Sequence, residues 1–359
     1  MVKSSAAIFC DAHSITDGGG ISYSLSIAES LSRHFEIVDL FFKPSMDLNL
    51  IRGLYRIGDR ISLRTREESK SSRLIRILNR NLNLLPYSLV VYKTDYIPSL
   101  IFHRKLLLIC DFPWEPAVTI GQRITKTLAS GFITNSGFTG KVVKKIWGVD
   151  AEVVNPVVAL IKSSKKSDSI LSVGRLTLHG RSKYQDKMIG AFKELVDEGL
   201  KGWTLNLAGF CPEESTRQYL EEISEGYPIK VYANISREKI EALYAESKIY
   251  WHACGVGHDE KTEPSFMEHF GISVTEALGA GSVPVVVGKG GPKEIIESGV
   301  NGLHWFDFEE LKSQTRKLIN SPELLKNLRN NAEASSLKYS KNAFDEAVDR
   351  CLKKISLLT

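Results

Sequence analysis

Glu268 and Glu276 stand eight positions apart, on either side of Phe270-Gly271-Ile272, where a helical pattern begins. The first N–H groups of a helix have no acceptor within it, so Phe270, Gly271 and Ile272 would offer backbone donors to a phosphate. Two carboxylates beside such a seat suit the hydroxyls of a sugar or ribose. The next apolar run, Val283–Val287, leads into Gly288-Lys289-Gly290-Gly291-Pro292-Lys293-Glu294, a second Gly-rich strand-to-helix turn. The chemistry this pattern suggests is the handling of a nucleotide-activated sugar. Spacing alone leaves open whether the two carboxylates converge, and a Glu beside a helix N-terminus is also common for dipole reasons.

Two further constellations lie upstream. Gly174-Arg175 follows the apolar run Ile170–Val173, and Lys183 comes just before a helical pattern at Asp186. Ligands of doubly wound sheets bind outside the carboxyl ends of strands. Two cations there would grip a diphosphate and stabilise the charge that builds on it as a leaving group; a solvated Arg is the plainer alternative. Gly18-Gly19-Gly20 follows the first strand and would let a ligand approach the backbone, or serve only as a flexible turn. The order is not GxGxxG. None of the eight histidines forms an HExxH or other paired spacing, and there is no Asp-x-Asp pair, so no metal site is expected. GxSxG is also absent.

These residues need parallel sheets to hold them. Short apolar runs alternate with helical periodicity, the α/β pattern of βα units. Strands are predicted at Ala6–Cys10, Ile37–Phe42, Leu89–Tyr92, Leu106–Cys110, Gly131–Thr134 and Glu152–Val154. A second series is predicted at Ile170–Val173, Thr204–Ala208, Ile229–Tyr232, Ile249–His252 and Val283–Val287. Helices are predicted at Ile21–His34, Gly137–Trp147, Asp186–Asp197, Arg237–Ala245, Ile272–Gly279, Pro322–Leu337 and Asn342–Leu358. The 359 residues suggest two domains, with a linker at Asn155–Val158 and the polar run Lys162–Asp168. The expected division is 1–156, 157–338 and a final helical segment, 339–359.

A hydrophobic content of 43% and a charged content of 25% are ordinary for a soluble globular chain. The net charge of +5 suits anionic ligands such as nucleoside diphosphates and does not imply nucleic acid. Cys10, Cys110, Cys211, Cys254 and Cys351 are scattered, which favours free thiols in a reducing cytoplasm. The first residues turn polar too soon for a signal peptide and read as a buried strand. Residues 45–85 break the α/β alternation. Arg52, Arg56, Arg60 and Arg64 recur every four residues and would share one helix face, opposite Leu50, Leu54, Ile57 and Ile61. Such a helix suits an anionic membrane surface, or it is a solvated helix or loop.

Taken together, these residues resemble the retaining glycosyltransferases of family 4, which have the GT-B fold. The match is most specific over about residues 169–306. Glu268 and Glu276 look like that family's E-x7-E motif, and Val173-Gly174-Arg175 with Lys183 looks like its Arg and Lys for the donor diphosphate. Gly290–Glu294 and Asn301-Gly302 match its later turn. Gly18–Gly20, Asn135–Thr139 and Trp147-Gly148 resemble parts of its first domain more loosely.

The resemblance implies two Rossmann-like doubly wound domains facing a cleft. The first would bind the acceptor and the second a nucleotide sugar, with the C-terminal helix crossing back to the first. It implies that Glu268 contacts the transferred sugar and Glu276 the ribose. Backbone groups near Phe270, Gly271 and Ile272, with Gly19, Gly20 and Gly174, would approach the donor. Arg175 and Lys183 would carry the leaving-group charge, with no metal or other cofactor. One departure is Asp111, in Cys110-Asp111-Phe112-Pro113-Trp114, where many members place a His facing the sugar; an Asp would accept hydrogen bonds from hydroxyls or serve a different acceptor geometry.

The expected activity is transfer of a hexose from a UDP- or GDP-sugar to a saccharide or lipid-linked acceptor, in surface polysaccharide or glycoconjugate biosynthesis. Residues 50–80 would touch the inner face of the plasma membrane. The alternatives are a silent nucleotide-sugar-binding protein, a GT-B epimerase or phosphorylase, and a Rossmann oxidoreductase. Intact Arg175, Lys183, Glu268 and Glu276 speak against the first. The chain length disfavours a phosphorylase, and the absence of GxGxxG disfavours the last.

Overall fold

The computed structural model describes residues 4–11, 18–66, 72–158, 161–178 and 182–358. Parts of the basic segment (residues 67–71), of the loop after Arg175 (His179, Gly180 and Arg181) and of the linker (residues 159–160) lie outside these. The chain divides into two compact units. The first comprises Met1–Val157 with Lys341–Thr359, and the second Val158–Ser340.

The first unit holds seven parallel strands: β1 (Ser5–Cys10), β2 (Ile37–Phe42), β3 (Ile61–Thr65), β4 (Leu89–Lys93), β5 (Leu106–Cys110), β6 (Gly131–Thr134) and β7 (Glu152–Val153). Their order is β3-β2-β1-β4-β5-β6-β7. The helices are α1 (Gly18–Leu31), α2 (Leu48–Leu54), α3 (Arg73–Leu84), α4 (Ile120–Leu128) and α5 (Gly137–Trp147). The strands are apolar because both faces are covered. Val91 and Ile109 share one core with Leu31 of α1, while Val90 and Leu108 share the other with Val143 and Trp147 of α5.

The second unit repeats the plan with six parallel strands: β8 (Ser167–Val173), β9 (Thr204–Gly209), β10 (Ile229–Ala233), β11 (Ser247–His252), β12 (Val283–Val287) and β13 (Leu303–Trp305). Their order is β10-β9-β8-β11-β12-β13. Helices α6 (Gln185–Asp197), α7 (Glu214–Glu222), α8 (Arg237–Glu246), α9 (Ile272–Gly279), α10 (Gly290–Ile295), α11 (Phe308–Asn320) and α12 (Pro322–Ser336) flank it. Both sheets reverse their winding next to their first strand, at β1/β4 and at β8/β11, and such a reversal opens a crevice at the strands' carboxyl ends.

The last helix, α13 (Lys341–Lys354), belongs to the first unit, where its Phe344, Val348 and Leu352 join the core of α1. Arg33 and His34, just beyond α1, both bond Asp349 of α13, at 2.9 and 2.7 Å.

Two sequence expectations fail. Arg52, Arg56, Arg60 and Arg64 do not share a helix face: α2 ends at Leu54, and Ile61–Thr65 is an edge strand paired with β2. Ile61 and Leu63 alternate with Ser62 at period 2, and the sheet supplies hydrogen bonds that an isolated helix could not match. Arg64 pairs at 2.7 Å with Asp39 of β2, and Arg60 donates to the Ser32 carbonyl at 3.1 Å.

The run Lys162–Asp168 is likewise not a free linker, because its last two residues begin β8. Lys166 donates to the carbonyls of Tyr244, Ser247 and Ala280 at 3.3, 2.9 and 2.7 Å. It thereby caps the C-terminal ends of α8 and α9, where partial negative charge collects. Ser282 Oγ also donates to the Tyr244 and Ser247 carbonyls, so Lys166→Met takes the side-chain donor from the Ala280 carbonyl and should lower unfolding free energy by about 1–3 kcal/mol, the range for leaving a buried acceptor without a donor. Urea titration checks this; an unchanged midpoint would mean the Ala280 carbonyl finds another donor.

Candidate active site

In the second unit, β8 and β11 lie side by side at the reversal of winding, so the loops leaving them meet. Gly174 and Arg175 follow β8, and Gln185 of α6 donates to the Arg175 carbonyl at 3.0 Å. Ser182 and Tyr184 shape the return of this loop. Ser182 Oγ accepts the Tyr184 N–H at 2.9 Å and donates to the Thr177 carbonyl at 2.9 Å. A side chain at Gly174 would press on Lys183, with its Cβ 3.0 Å from Lys183 Cγ. The Lys183 ammonium reaches Glu268 Oε2 at 2.5 Å. His252, the last residue of β11, places Nε2 3.2 Å from the same oxygen.

Glu268 is therefore held by a cation and an imidazole on Oε2, while Oε1 takes no bond from either. Burial alone would raise the Glu268 pKa. Lys183 and the His252 hydrogen bond outweigh it and hold the carboxyl well below the usual carboxylate range. Burial would also lower Lys183, but Cys254 and Glu268 beside it leave the ammonium raised. Burial dominates at His252, whose pKa is lowered despite Glu268, so its imidazole is neutral and donates Nε2–H to the carboxylate. His252 Nδ1 is buried without a partner among the described residues.

The backbone of Glu268–Phe270 is fixed by the second Gly-rich turn. The Gly291 N–H donates to the Glu268 carbonyl at 2.8 Å, and a Cβ on Gly291 would sit 2.2 Å from the Phe270 carbonyl oxygen. Only glycine permits this approach. Gly271 follows at φ +114° as the N-cap of α9, with no side-chain cap bond. The Gly271 carbonyl accepts from Val274 and Thr275, so the N–H groups of Ile272 and Ser273 head the helix without an intrahelical acceptor. Phe270 contributes backbone here, since its ring is buried edge-on to Tyr339.

Glu276 does not converge on Glu268. It is buried one turn into α9 and paired at 2.6 Å with Arg237 of α8. Burial would lower the Arg237 pKa, but Glu276 keeps it raised. Each carboxylate thus has its own cation. Arg175 is exposed at the mouth of the loop.

In the first unit, Asp111 follows β5 and bonds the ammonium of Lys93, the buried last residue of β4. Burial would lower the Lys93 pKa, but Asp111 outweighs it and raises it. Gly20 lies in the first turn of α1, where a Cβ would be 3.3 Å from Lys93 Nζ and 3.8 Å from Asp111 Oδ2. Gly19 is its exposed neighbour. Asp95 accepts the N–H groups of Asp111 and Phe112 at 3.2 and 3.1 Å. Among the described residues no group of three or more His, Cys, Asp or Glu is placed to hold a metal ion.

Sequence reasoning missed His252, Arg237 and Lys93. His252 at the end of a predicted strand, and Lys93 just after another, were available signals. Arg237 had none, because its meeting with Glu276 depends on how α8 packs beside α9.

Comparison with known proteins bears on the second unit. Residues 160–335 match the model of the family described as Glycosyl transferases group 1. The second unit carries a glycosyl transferases group 1 domain. That domain contains Gly174, Arg175, Lys183, Glu268, Phe270, Gly271, Ile272 and Glu276. No curated protein matches the chain by sequence.

Solved structures resemble the whole chain. A glycosyltransferase from Rickettsia africae is 15% identical, with 99% of each chain covered and a TM-score of 0.76. Anabaena HepE, in complex with UDP and glucose, is 16% identical, covering 98% of this chain and 99% of its own, with a TM-score of 0.72. WaaG, a glycosyltransferase involved in lipopolysaccharide biosynthesis, is 13% identical over 96% of this chain and 99% of its own, with a TM-score of 0.67. The fold is that of the GT-B glycosyltransferases, two Rossmann-like α/β units around parallel sheets.

The electrostatics of the group 1 domain make a pH prediction. The folded pKa of His252 lies below its ordinary 6.5, so stability falls as pH drops below 6.5 and the unfolded chain gains a proton the fold resists. The depressed Glu268 contributes stability above its ordinary 4.5, lost only as pH falls beneath that. His252→Gln keeps an N–H donor but cannot titrate. Between pH 7.5 and 5.5 its urea stability should fall less than that of the wild type. Equal falls would show that His252 is not held neutral.

Proposed function

We propose that this protein is a retaining, metal-independent glycosyltransferase that moves a hexose from a nucleoside-diphosphate sugar to a saccharide or lipid-linked acceptor. The carrying observation is the group of Lys183, Glu268 and His252 beside the uncapped N-terminus of α9. The group 1 domain and the GT-B fold support the transferase class. A UDP-sugar donor is favoured over a GDP-sugar by the neighbour solved with UDP and glucose.

In this reading the diphosphate sits against the N–H groups of Ile272 and Ser273, near Lys183 and Arg175. Oriented donors and cations stabilise the charge that develops as the sugar–phosphate bond breaks. Glu268 stays ionised, and its Oε1 accepts a hydroxyl of the transferred sugar. Glu276 takes the ribose hydroxyls by exchanging part of its pairing with Arg237, and Gly174 keeps the β8 loop close to the diphosphate. The acceptor hydroxyl attacks the anomeric carbon on the face the phosphate leaves, and its proton passes to the departing phosphate oxygen.

We assign acceptor binding to the first unit, with Asp111 accepting hydrogen bonds from its hydroxyls beside Gly19 and Gly20. The setting is surface polysaccharide or glycoconjugate assembly, in the cytoplasm and at the inner face of the plasma membrane.

Two experiments test this. A thermal-shift screen against UDP, GDP, ADP, CMP, dTDP and NAD without metal should show selective stabilisation by one nucleoside diphosphate, UDP first. Stabilisation by NAD alone, or by none, would overturn the reading. Lys183→Ala and Arg175→Ala should each lower turnover by roughly two orders of magnitude, the scale for removing a charge stabiliser. Lys183→Ala also strips Glu268 of its cation, so exposed Arg175 is the cleaner probe. Near-wild-type turnover in folded Arg175→Ala would remove Arg175 from the diphosphate site.

A further inference from the structure

Helix α3 is amphipathic in the wrong sense for a core helix. Ile77, Arg80, Asn81 and Leu84, at spacing i, i+3, i+4 and i+7, are its more buried positions. Leu84 is buried in the core with Val90 and Ile101, while Arg80 and Asn81 make polar contacts. Arg80 donates to the carbonyls of Ser99 and Leu100, Asn81 donates to the Leu100 carbonyl at 2.9 Å, and Asn81 accepts the Phe102 N–H at 2.7 Å. The apolar stripe lies elsewhere. Leu74, Leu78, Leu82 and Leu85 follow i, i+4, i+8 and i+11 and are 79%, 58%, 51% and 67% exposed, with Ile75 at 49%. Core helices bury such a stripe. Two more exposed apolar side chains lie on adjoining backbone. Phe102 is bonded to Asn81 as above, and Ile120 precedes Gly121, whose carbonyl accepts the Leu100 N–H at 3.0 Å.

Along this stretch of the sequence the charge has one sign. Arg73 and Arg76 are exposed on α3, and no Asp or Glu occurs from Ser72 to Thr94. We infer that α3 is the surface by which this protein docks on an anionic lipid bilayer, lying in the interface plane with Leu74, Ile75, Leu78, Leu82 and Leu85 among the acyl chains and Arg73 and Arg76 on the headgroups.

Three considerations select this occupant. Among the described residues no helix is long and apolar enough to cross a membrane, and α3 has 12 residues, so it lies on the bilayer. A second copy meeting this face about a twofold axis would set Arg73 and Arg76 against a helix that carries no carboxylate to pair with them. A bilayer rich in anionic headgroups matches both the apolar stripe and the exposed arginines. The sequence expectation of membrane contact within residues 50–80 is thereby moved from a four-arginine helix that does not form to a leucine stripe that does. The inference rests on the reading of a membrane-side transferase only for its purpose.

The test is co-sedimentation of the full chain with phosphatidylcholine vesicles, with and without phosphatidylglycerol, at low and high salt and without nucleotide. Binding is expected only with phosphatidylglycerol and should weaken steeply with salt. Leu78→Asn/Leu82→Asn should reduce partitioning by about tenfold or more through lost apolar insertion. Arg73→Gln/Arg76→Gln should do so by about tenfold through lost attraction. All four side chains are exposed, so circular dichroism and the nucleotide thermal shift should be unchanged in both variants. That shift reports the donor site alone, so failure of lipid docking is distinguishable from failure of the transferase reading. Absence of vesicle binding, or equal binding by the leucine variant, would overturn the inference. So would a concentration-dependent dimer that the leucine variant abolishes, since the stripe would then face a second copy.

Discussion

The ion pair between Lys183 and Glu268 joins the loop after β8 to the loop after β11, across the reversal of winding of the second sheet. Without it the two loops would carry opposite charges in a half-buried setting with nothing to offset their desolvation. His252 adds a neutral donor from the strand end, so the carboxylate is oriented from two sides through Oε2 alone among these contacts. A glycosyl donor brings the complementary groups, a diphosphate for the cation and hydroxyls for the carboxylate. In the proposed function, the resting pair holds in place the charges that a bound donor would engage.

This arrangement depends on backbone fit at one place. Gly290 and Gly291 let the turn after β12 touch the backbone of Glu268–Phe270, and that contact sets where α9 begins. The site is therefore built by three loops leaving β8, β11 and β12, which are neighbours in the sheet. Chemistry lives on loops, while sheet packing supplies the precision.

The first unit repeats the logic with different polarity. A buried Lys93 at the end of β4 meets Asp111 at the end of β5, next to the close approach of Gly20. The same topology thus carries a lysine–carboxylate pair beside the winding reversal of each sheet. The two pairs differ in what surrounds them: an uncapped helix N-terminus in the second unit, and in the first a further buried carboxyl, Asp95, whose pKa burial raises.

Much of this was legible in the residues. Apolar runs such as Leu106–Cys110 and Val283–Val287 are long enough for one strand and too short for a helix, so the α/β plan and most strands follow from pattern. Glu268, Glu276 and the glycines at 290 and 291 could be read because local chemistry dictates them: a backbone approach that excludes a Cβ, and a helix start beside a carboxylate. What the sequence left undecided depends on neighbours distant in the chain. Arg52 to Arg64 has helical spacing, but β2 was waiting to pair with Ile61–Thr65, and a ladder of hydrogen bonds outweighs a weak local preference. Arg237 meets Glu276, and His252 meets Glu268, only because parallel crossovers bring those elements together. Leu74, Leu78 and Leu82 of α3 belong to no element predicted from the sequence, and packing alone set Arg80 and Asn81 against the protein and left those leucines exposed. Periodicity says that a helix has an apolar side; only the tertiary structure decides whether that side is buried or left for something else to cover.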